Sequence, residues 1–315
     1  MQSQEINSKN VYDRRKKISV SDITSMKQRK EKVSVLTAYD YSTALICDKA
    51  GVDVLLVGDS AGMVMLGYSN TTPVNMEEML LFCKAVSRAT KRAMIIADMP
   101  FGSYQSNVSD AIKNATQFIK AGCEAVKLEG GKEIVETIRA LVNAGIPVMG
   151  HIGLKPQTCS LWEGYKLQGK TKDSALKIIS DAKCLEKAGV FSIVMELVVS
   201  EVTEIVSQNV SVPIIGIGSG SSCDGQVLVI HDMLGIYEDI KPKFVKRYGE
   251  LSKLILDAIS QYTADVKSSK FPEEQNIFHM RSEEFKELNK VLKKNREKRK
   301  YFLKMNYKKK VVMII

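Results

Sequence analysis

The sequence is poor in the residues that build zinc and disulfide sites. It has only three histidines, and its six cysteines include no C-x-x-C pair. A zinc ribbon is therefore not expected, and a three-histidine zinc site would need residues from scattered contexts. The cysteines are instead typical of buried free thiols in a reducing compartment.

Long apolar runs are also missing. No stretch of eighteen or more residues is predominantly apolar, so no membrane-spanning helix is expected. The N-terminal segment lacks the apolar core of a signal peptide, which together with the predicted free thiols favours a cytoplasmic protein. Apolar residues still make up 44% of the 315 residues, which is typical of a globular chain with a sizeable core.

Positive charge is concentrated at one end of the chain. The net charge is +10, but residues 281–315 hold thirteen Lys or Arg and only four Glu. Residues 1–280 therefore carry a net charge of only about +1. The excess of basic residues therefore lies in the C-terminal tail. We interpret this tail as a solvated extension and do not expect nucleic acid as a partner.

Short apolar runs alternate with longer amphipathic segments from residue 33 onward. Each run is rich in Val and Ile and nearly continuously apolar, which is typical of parallel strands buried on both faces. The predicted strands are Val33–Tyr39, Val54–Asp59, Ala93–Asp98, Ala125–Glu129, Pro147–His151, Ser192–Glu196, Pro213–Gly218 and Gln226–His231.

Eight strands that alternate with helices predict a (βα)8 barrel. A doubly wound open sheet is the competing fold, but no G-x-G-x-x-G follows the first strand. We expect the barrel over 33–280, after a lead-in over 1–32 with room for one helix. A further helix or pair of helices is expected over Lys243–Val266, and the basic tail over 281–315 is expected to be helical or disordered.

Acidic side chains close four of the predicted strands, namely Asp59, Asp98, Glu129 and Glu196. The carboxyl ends of barrel strands meet at one mouth, where this fold places its chemistry. Carboxylates gathered there repel each other, and a hard divalent ion such as Mg²⁺ or Mn²⁺ relieves that repulsion. The plainer alternative is that each acid is a strand-end cap or an ion-pair partner.

Two basic groups are expected near these acids. Lys127 and Glu129 lie two apart on one strand and so share a face. Lys127 is then either a cation near a bound anion or the partner of Glu129 in a simple ion pair. His151 ends the fifth strand, either as a site residue or as a structural histidine.

Several strings resemble the ketopantoate hydroxymethyltransferase (3-methyl-2-oxobutanoate hydroxymethyltransferase) family, in order and with compatible spacing over about residues 20–280. They are "TAYDYSTA" (37–44), "LLVGDSAGMV" (55–64), "IADMPFGSY" (96–104), "KLEGG" (127–131), "GHIGLKPQ" (150–157), "GYKLQG" (164–169), "PIIGIGSG" (213–220) and "DGQVLVIHDMLG" (224–235). Any one of these strings is weak evidence, but their collinear series is specific.

The resemblance implies a (βα)8 barrel of the phosphoenolpyruvate/pyruvate type and a homo-oligomer, usually a decamer. It implies transfer of a one-carbon unit from 5,10-methylenetetrahydrofolate to 3-methyl-2-oxobutanoate, which gives 2-dehydropantoate and opens pantothenate biosynthesis. The Mg²⁺ ligands would be Asp59, Asp98 and Glu129, and the keto acid would contact Asp59, Ser60, Asp98 and Lys127. Glu196 would be the proton acceptor, with a pKa raised by burial and neighbouring acids, and Tyr39 and His151 would line the site.

Two alternatives remain at this level. A related metal-dependent lyase or mutase for 2-oxo acids would share the site, although its K-K-C-G-H loop is absent here. A non-catalytic barrel that binds nucleic acid through the tail would not need the four acids. One departure from the family pattern is Glu163, which stands where glycine is usual in a loop near the mouth.

Overall fold

The computed structural model describes residues 16–159, 166–239 and 241–312. Glu163, the departure from the family pattern, lies outside the described residues. The chain divides into two compact units, residues 1–252 and residues 253–315.

The first unit is a closed barrel of eight parallel strands in sequential order, which confirms the predicted fold class. The first and last strands close the barrel by pairing with each other, for example at Val33 and Gly225. The strands are β1 (Val33–Thr37), β2 (Val54–Val57), β3 (Met94–Asp98), β4 (Ala125–Glu129), β5 (Val148–Gly153), β6 (Ser192–Glu196), β7 (Ile214–Ile217) and β8 (Gly225–Leu228).

Twelve α-helices are found in the described ranges. They are α1 (Val20–Gln28), α2 (Tyr41–Ala50), α3 (Ala61–Val64), α4 (Met76–Ala89), α5 (Val108–Lys120), α6 (Val135–Asn143), α7 (Pro156–Cys159), α8 (Lys172–Ala188), α9 (Ser200–Asn209), α10 (Ile230–Met233), α11 (Leu251–Lys267) and α12 (Ser282–Val312). Between β7 and β8 the chain makes a Gly- and Ser-rich connection, residues 218–224, in place of a helix. The lead-in helix and the helical tail were both predicted.

Two predicted boundaries were wrong by three residues or more. The eighth strand ends at Leu228, because the backbone N–H of Ile230 donates to the Thr37 hydroxyl at 3.0 Å and begins a helical turn. The helix predicted from Lys243 begins only at Leu251. Residues 243–250 precede it as a connection whose end is tied back to α10 through backbone hydrogen bonds, including one from Leu251 to Leu234 at 2.9 Å.

Apolar side chains fill the barrel from its N-terminal end. Helix α1 closes that end, where Ile23 is completely buried against the interior cluster. The Lys27 ammonium fixes α1 by contacting the carbonyl of Val212 and the carboxylate of Asp224, both at 3.0 Å. The interior cluster contains Val33, Val35, Val54, Leu56, Met94, Ile96, Ala125, Met149, Phe191, Val194, Ile215 and Val227. The opposite mouth is therefore the end left for polar chemistry.

The second unit contains the remainder of α11 and the basic helix α12, joined by a segment with a short 3-10 turn at Glu274–Asn276. None of the described helices is long and apolar enough to cross a bilayer.

Candidate active site

Interior-facing positions change from apolar to polar at the C-terminal ends of four neighbouring strands. In β3 the series runs from Met94 through Ile96 to Asp98, all buried. Alternation along a strand keeps these three side chains on the same face. The next three strands show the same change, and they contribute Lys127, Glu129, His151 and Glu196.

The other three predicted residues join this group from the loops after β1 and β2. The backbone N–H of Asp59 donates to the Asp98 carboxylate at 3.0 Å. The hydroxyls of Tyr39 and Ser60 share a hydrogen bond of 2.8 Å. The structure thus brings together all eight side chains singled out from the sequence, and their individual roles stay predictions.

Lys127 pairs with Asp98 across the β3–β4 register. Its ammonium lies 2.9 Å from the Asp98 carboxylate, and both side chains are almost completely buried. Burial acts to lower the pKa of Lys127, but the charges of Asp98 and Glu129 outweigh it and raise that pKa above its ordinary value. Lys127 is therefore a permanent cation, and its ion-pair partner is Asp98 in place of the Glu129 considered from the sequence.

Acids outnumber this lysine in the barrel mouth. Burial raises the pKa of Asp59 to about 7, and the adjacent Asp98 carboxylate adds to the effect. Burial, followed by the charge of Asp59, raises the pKa of Glu129 well above its ordinary value. Burial raises the pKa of Glu196 to about 7 against the opposing effect of Lys127. The contribution that neighbouring acids were expected to make at Glu196 is not found.

His151 connects the lysine to Glu196. Burial and the charge of Lys127 lower the pKa of His151 well below its ordinary value, so the imidazole is neutral. The Lys127 ammonium lies 3.1 Å from Nδ1 and donates to it, which assigns the ring proton to Nε2. This Nε2 lies 3.3 Å from a Glu196 oxygen and makes no hydrogen bond to a described residue. It is a buried donor that a ligand oxygen would satisfy.

Gln157 and Tyr104 are components of the site that were not singled out from the sequence. Both are buried, and the Tyr104 hydroxyl donates to the Gln157 side-chain carbonyl at 2.9 Å. The Gln157 side-chain amide donates to Asp59 at 2.9 Å, and its backbone N–H donates to Glu129 at 3.0 Å. Their only signal was that they lie within the strings at 96–104 and 150–157, because Tyr104 lies in a loop and Gln157 in the short helix α7, where no periodicity is visible.

The donor set fits a hard divalent cation. Asp59, Asp98 and Glu129 offer only oxygen, and their combined charge exceeds that of Lys127. Within the described ranges, no three His, Cys, Asp or Glu side chains are arranged to hold a metal ion by themselves. A hard cation at this position would therefore take part of its coordination from water or substrate oxygens.

A cavity of about 370 Å³ adjoins the cluster. Ser60 and Glu196 belong to its wall, so the cavity reaches the acid with the pKa near 7. A volume in this range accommodates a small organic molecule.

Residues 17–274 match the family model described as ketopantoate hydroxymethyltransferase. The chain belongs to this family. Over 270 residues it is 61% identical to the 3-methyl-2-oxobutanoate hydroxymethyltransferase of Nitrosopumilus maritimus, covering 86% of this chain and 97% of the relative. It is 54% identical over 268 residues to the enzyme of the same name from Carboxydothermus hydrogenoformans, covering 85% and 97%. The resemblance inferred from the collinear strings is thereby confirmed.

Solved structures with the same fold are distant in sequence. A phosphonopyruvate hydrolase complexed with oxalate and Mg²⁺ has a TM-score of 0.54 and 12% identity, covering 90% of this chain and 100% of its own. A phosphoenolpyruvate phosphomutase from Streptomyces platensis subsp. rosaceus has a TM-score of 0.55 and 14% identity, covering 90% and 99%. At these identities the likeness shows the barrel fold alone.

Proposed function

We propose that this protein transfers a one-carbon unit from 5,10-methylenetetrahydrofolate to 3-methyl-2-oxobutanoate, giving 2-dehydropantoate at the first step of pantothenate biosynthesis. The observation that carries the proposal is Glu196, a buried carboxyl group with a pKa near 7 in the wall of a cavity beside a permanently charged lysine. Such a group can accept a proton from carbon near neutral pH. Family membership and the names of the relatives support the choice of reaction.

The keto acid would be held by the charged and polar groups around the Asp98–Lys127 pair. The Lys127 ammonium and the Ser60 hydroxyl suit the substrate carboxylate, since both are donors fixed by the protein before binding. The Nε2–H of His151 has no acceptor among the described residues and suits a substrate oxygen. A Mg²⁺ ion held by Asp59, Asp98 and Glu129 would supply Lewis-acid stabilisation of developing negative charge.

Glu196 then takes the proton from C3 of the keto acid. The C3–H bond breaks, its electron pair enters the enolate, and the proton moves to a Glu196 oxygen. C3 forms a bond to the methylene carbon of the folate, both bonds from that carbon to folate nitrogens break, and one water supplies the oxygen of the new hydroxymethyl group. The proton held by Glu196 and one proton of that water pass to the two folate nitrogens. Neutral His151 lies 3.3 Å from Glu196 and adds no positive charge that would lower the pKa of that carboxyl group.

Deuterium exchange tests the proton-transfer step separately from folate chemistry. The full-length protein is incubated with 3-methyl-2-oxobutanoate and Mg²⁺ in deuterated water without folate, and the C3 proton is followed by NMR. We expect metal-dependent exchange that is lost in Glu196→Gln by about 100-fold or more. Glu201→Gln, at an exposed position of α9, is the matched control and should exchange like the wild type. Absence of exchange in the folded wild type would refute the mechanism.

We also propose a homo-oligomer, a decamer by the resemblance, and a cytoplasmic location. The first is supported by exposed apolar side chains on α11, including Leu254, Ile259 and Tyr262, which an interface would cover. The second is supported by five described cysteines that are all free, namely Cys47, Cys83, Cys123, Cys184 and Cys223.

A further inference from the structure

The cavity beside Glu196 has an apolar wall with one half-buried acid. Its volume is about 370 Å³, and the wall includes Met63, Val64, Val229 and Phe244. Asp232 of α10 also lines the cavity, whereas the residues assigned to the metal do not. The keto acid would occupy only the end of this cavity at Ser60 and Glu196, which leaves the part lined by Asp232 to another molecule.

Asp232 is fixed in place but has no partner for its carboxylate. Its backbone N–H donates to the carbonyl of Val229 at 3.1 Å, and the preceding His231 ring packs 5.6 Å from the ring of Tyr39. No hydrogen bond or ion pair links the Asp232 carboxylate to any residue in the described part of the chain. Burial raises its pKa to about 6, with Arg247 acting in the opposite direction. A half-buried carboxylate with unused acceptors is typical of a ligand-binding position.

The proposed second substrate has the complementary chemistry. The faces of the pterin ring of a reduced folate can pack against apolar side chains, and its N3–H and 2-amino group present two parallel donors on one edge. A single carboxylate accepts both in a fork. The far end of a folate carries carboxylates, and the exposed Lys243 contributes a cation to the same wall.

We propose that this cavity binds the pterin ring of the folate, with the Asp232 carboxylate accepting hydrogen bonds from N3–H and the 2-amino group. This inference rests on the proposed function. It places the folate against Glu196 and Ser60, where the methylene carbon can reach C3 of the keto acid. Asp232 is in this view a specificity residue for the one-carbon donor and has no part in enolisation.

The test separates folate binding from keto-acid chemistry. In the full-length protein we expect Asp232→Asn to raise the KM for 5,10-methylenetetrahydrofolate and the Kd for tetrahydrofolate about 10- to 100-fold. The KM for the keto acid should change by less than about 2-fold, and folate-free deuterium exchange should persist. Glu238→Gln, which removes an exposed carboxylate nearby, is the control and should bind tetrahydrofolate like the wild type.

A pterin analogue without the 2-amino group makes the assignment specific. The wild type should bind a tetrahydropterin more tightly than its 2-deamino counterpart, and Asp232→Asn should lose most of this preference. Unchanged tetrahydrofolate affinity in Asp232→Asn, or equal preference in both proteins, would overturn the inference. A wild type that neither exchanges the C3 proton nor forms product would instead overturn the proposed function, so the two failures are distinguishable.

Discussion

The side-chain amide of Gln157 donates a hydrogen bond of 2.9 Å to the carboxylate of Asp59. Through its backbone N–H the same residue holds Glu129 at 3.0 Å. One residue of the short helix α7 thus fixes two of the three carboxylates predicted to bind Mg²⁺. Groups that orient metal ligands in this way are commonly worth about 10- to 100-fold in metal affinity.

Gln157→Leu should therefore weaken divalent-metal binding by about 10- to 100-fold. The variant keeps the backbone contact to Glu129 and loses the side-chain amide, which orients Asp59 and also bonds Tyr104 and the Met99 carbonyl. Mn²⁺ titration followed by electron paramagnetic resonance measures this without reference to activity. Gln208→Leu, at an exposed position of α9, is the control. Equal Mn²⁺ affinity in Gln157→Leu and the wild type would show that Asp59 needs no such support.

The rate of C3 deuterium exchange should rise with pH through an inflection near 7. The pKa of Glu196 is raised to about 7 by burial, and only its ionised form can accept the proton. The ordinary value for glutamate is about 4.3, so an unperturbed carboxyl would give a rate already constant above about pH 6. A pH–rate profile with Mg²⁺ at saturation measures the inflection. A profile that is flat from about pH 5.5 to about pH 8 would contradict the assignment.

Asp59→Asn should make the metal-free protein less sensitive to alkaline pH. The folded-state pKa of Asp59 is raised to about 7 from the ordinary aspartate value of about 3.9, so the folded protein binds this proton more tightly than the unfolded chain. The resulting stability is fully present below the unfolded pKa and is lost as pH rises towards 7. Thermal unfolding in EDTA at about pH 5 and about pH 8 should show a larger loss for the wild type than for Asp59→Asn. Equal losses would indicate that Asp59 ionises freely in the folded state.

Gly153→Ala should destabilise the barrel more than Gly145→Ala. Both glycines have a positive φ, of 91° and 82° respectively. A Cβ at Gly153 would collide with the backbone carbonyl of Glu196, whereas a Cβ at Gly145 would meet nothing within 4 Å. We expect about 1 kcal/mol for Gly145→Ala and roughly 3 kcal/mol for Gly153→Ala. Chemical denaturation gives both free energies of unfolding, and similar values would mean that β6 moves aside without cost.

The barrel and the eight site residues could be predicted because their signals lie in short stretches of the sequence. Buried parallel strands are continuously apolar, and an acid at the end of such a run is conspicuous. The collinear strings then identified the family. The pairing of Lys127 with Asp98 could not be predicted, because it depends on the register between two strands. Neither could the role of Gln157, which lies in the short helix α7 and contacts residues across the barrel mouth.

The two wrong boundaries have the same origin. Leu228 ends a strand because Thr37, distant in sequence, caps the next turn. The mixture of polar and apolar residues at 243–250 favours a helix. Backbone hydrogen bonds instead join the end of this segment to the end of α10. In both cases a contact distant in sequence overrides a local preference.

Side chains along each barrel strand alternate between the interior and the helix-facing side, and this matters for engineering. Asp98 pairs in register with Lys127, and Glu129 with His151, so the functional groups form a ring whose positions are set by the backbone alone. A one-residue slip of any of these strands would exchange a charged group for its apolar neighbour and disable the ring at once. Conversely, substitutions restricted to these positions would remove the metal-binding and substrate-binding groups while leaving the helix-facing half of every strand untouched.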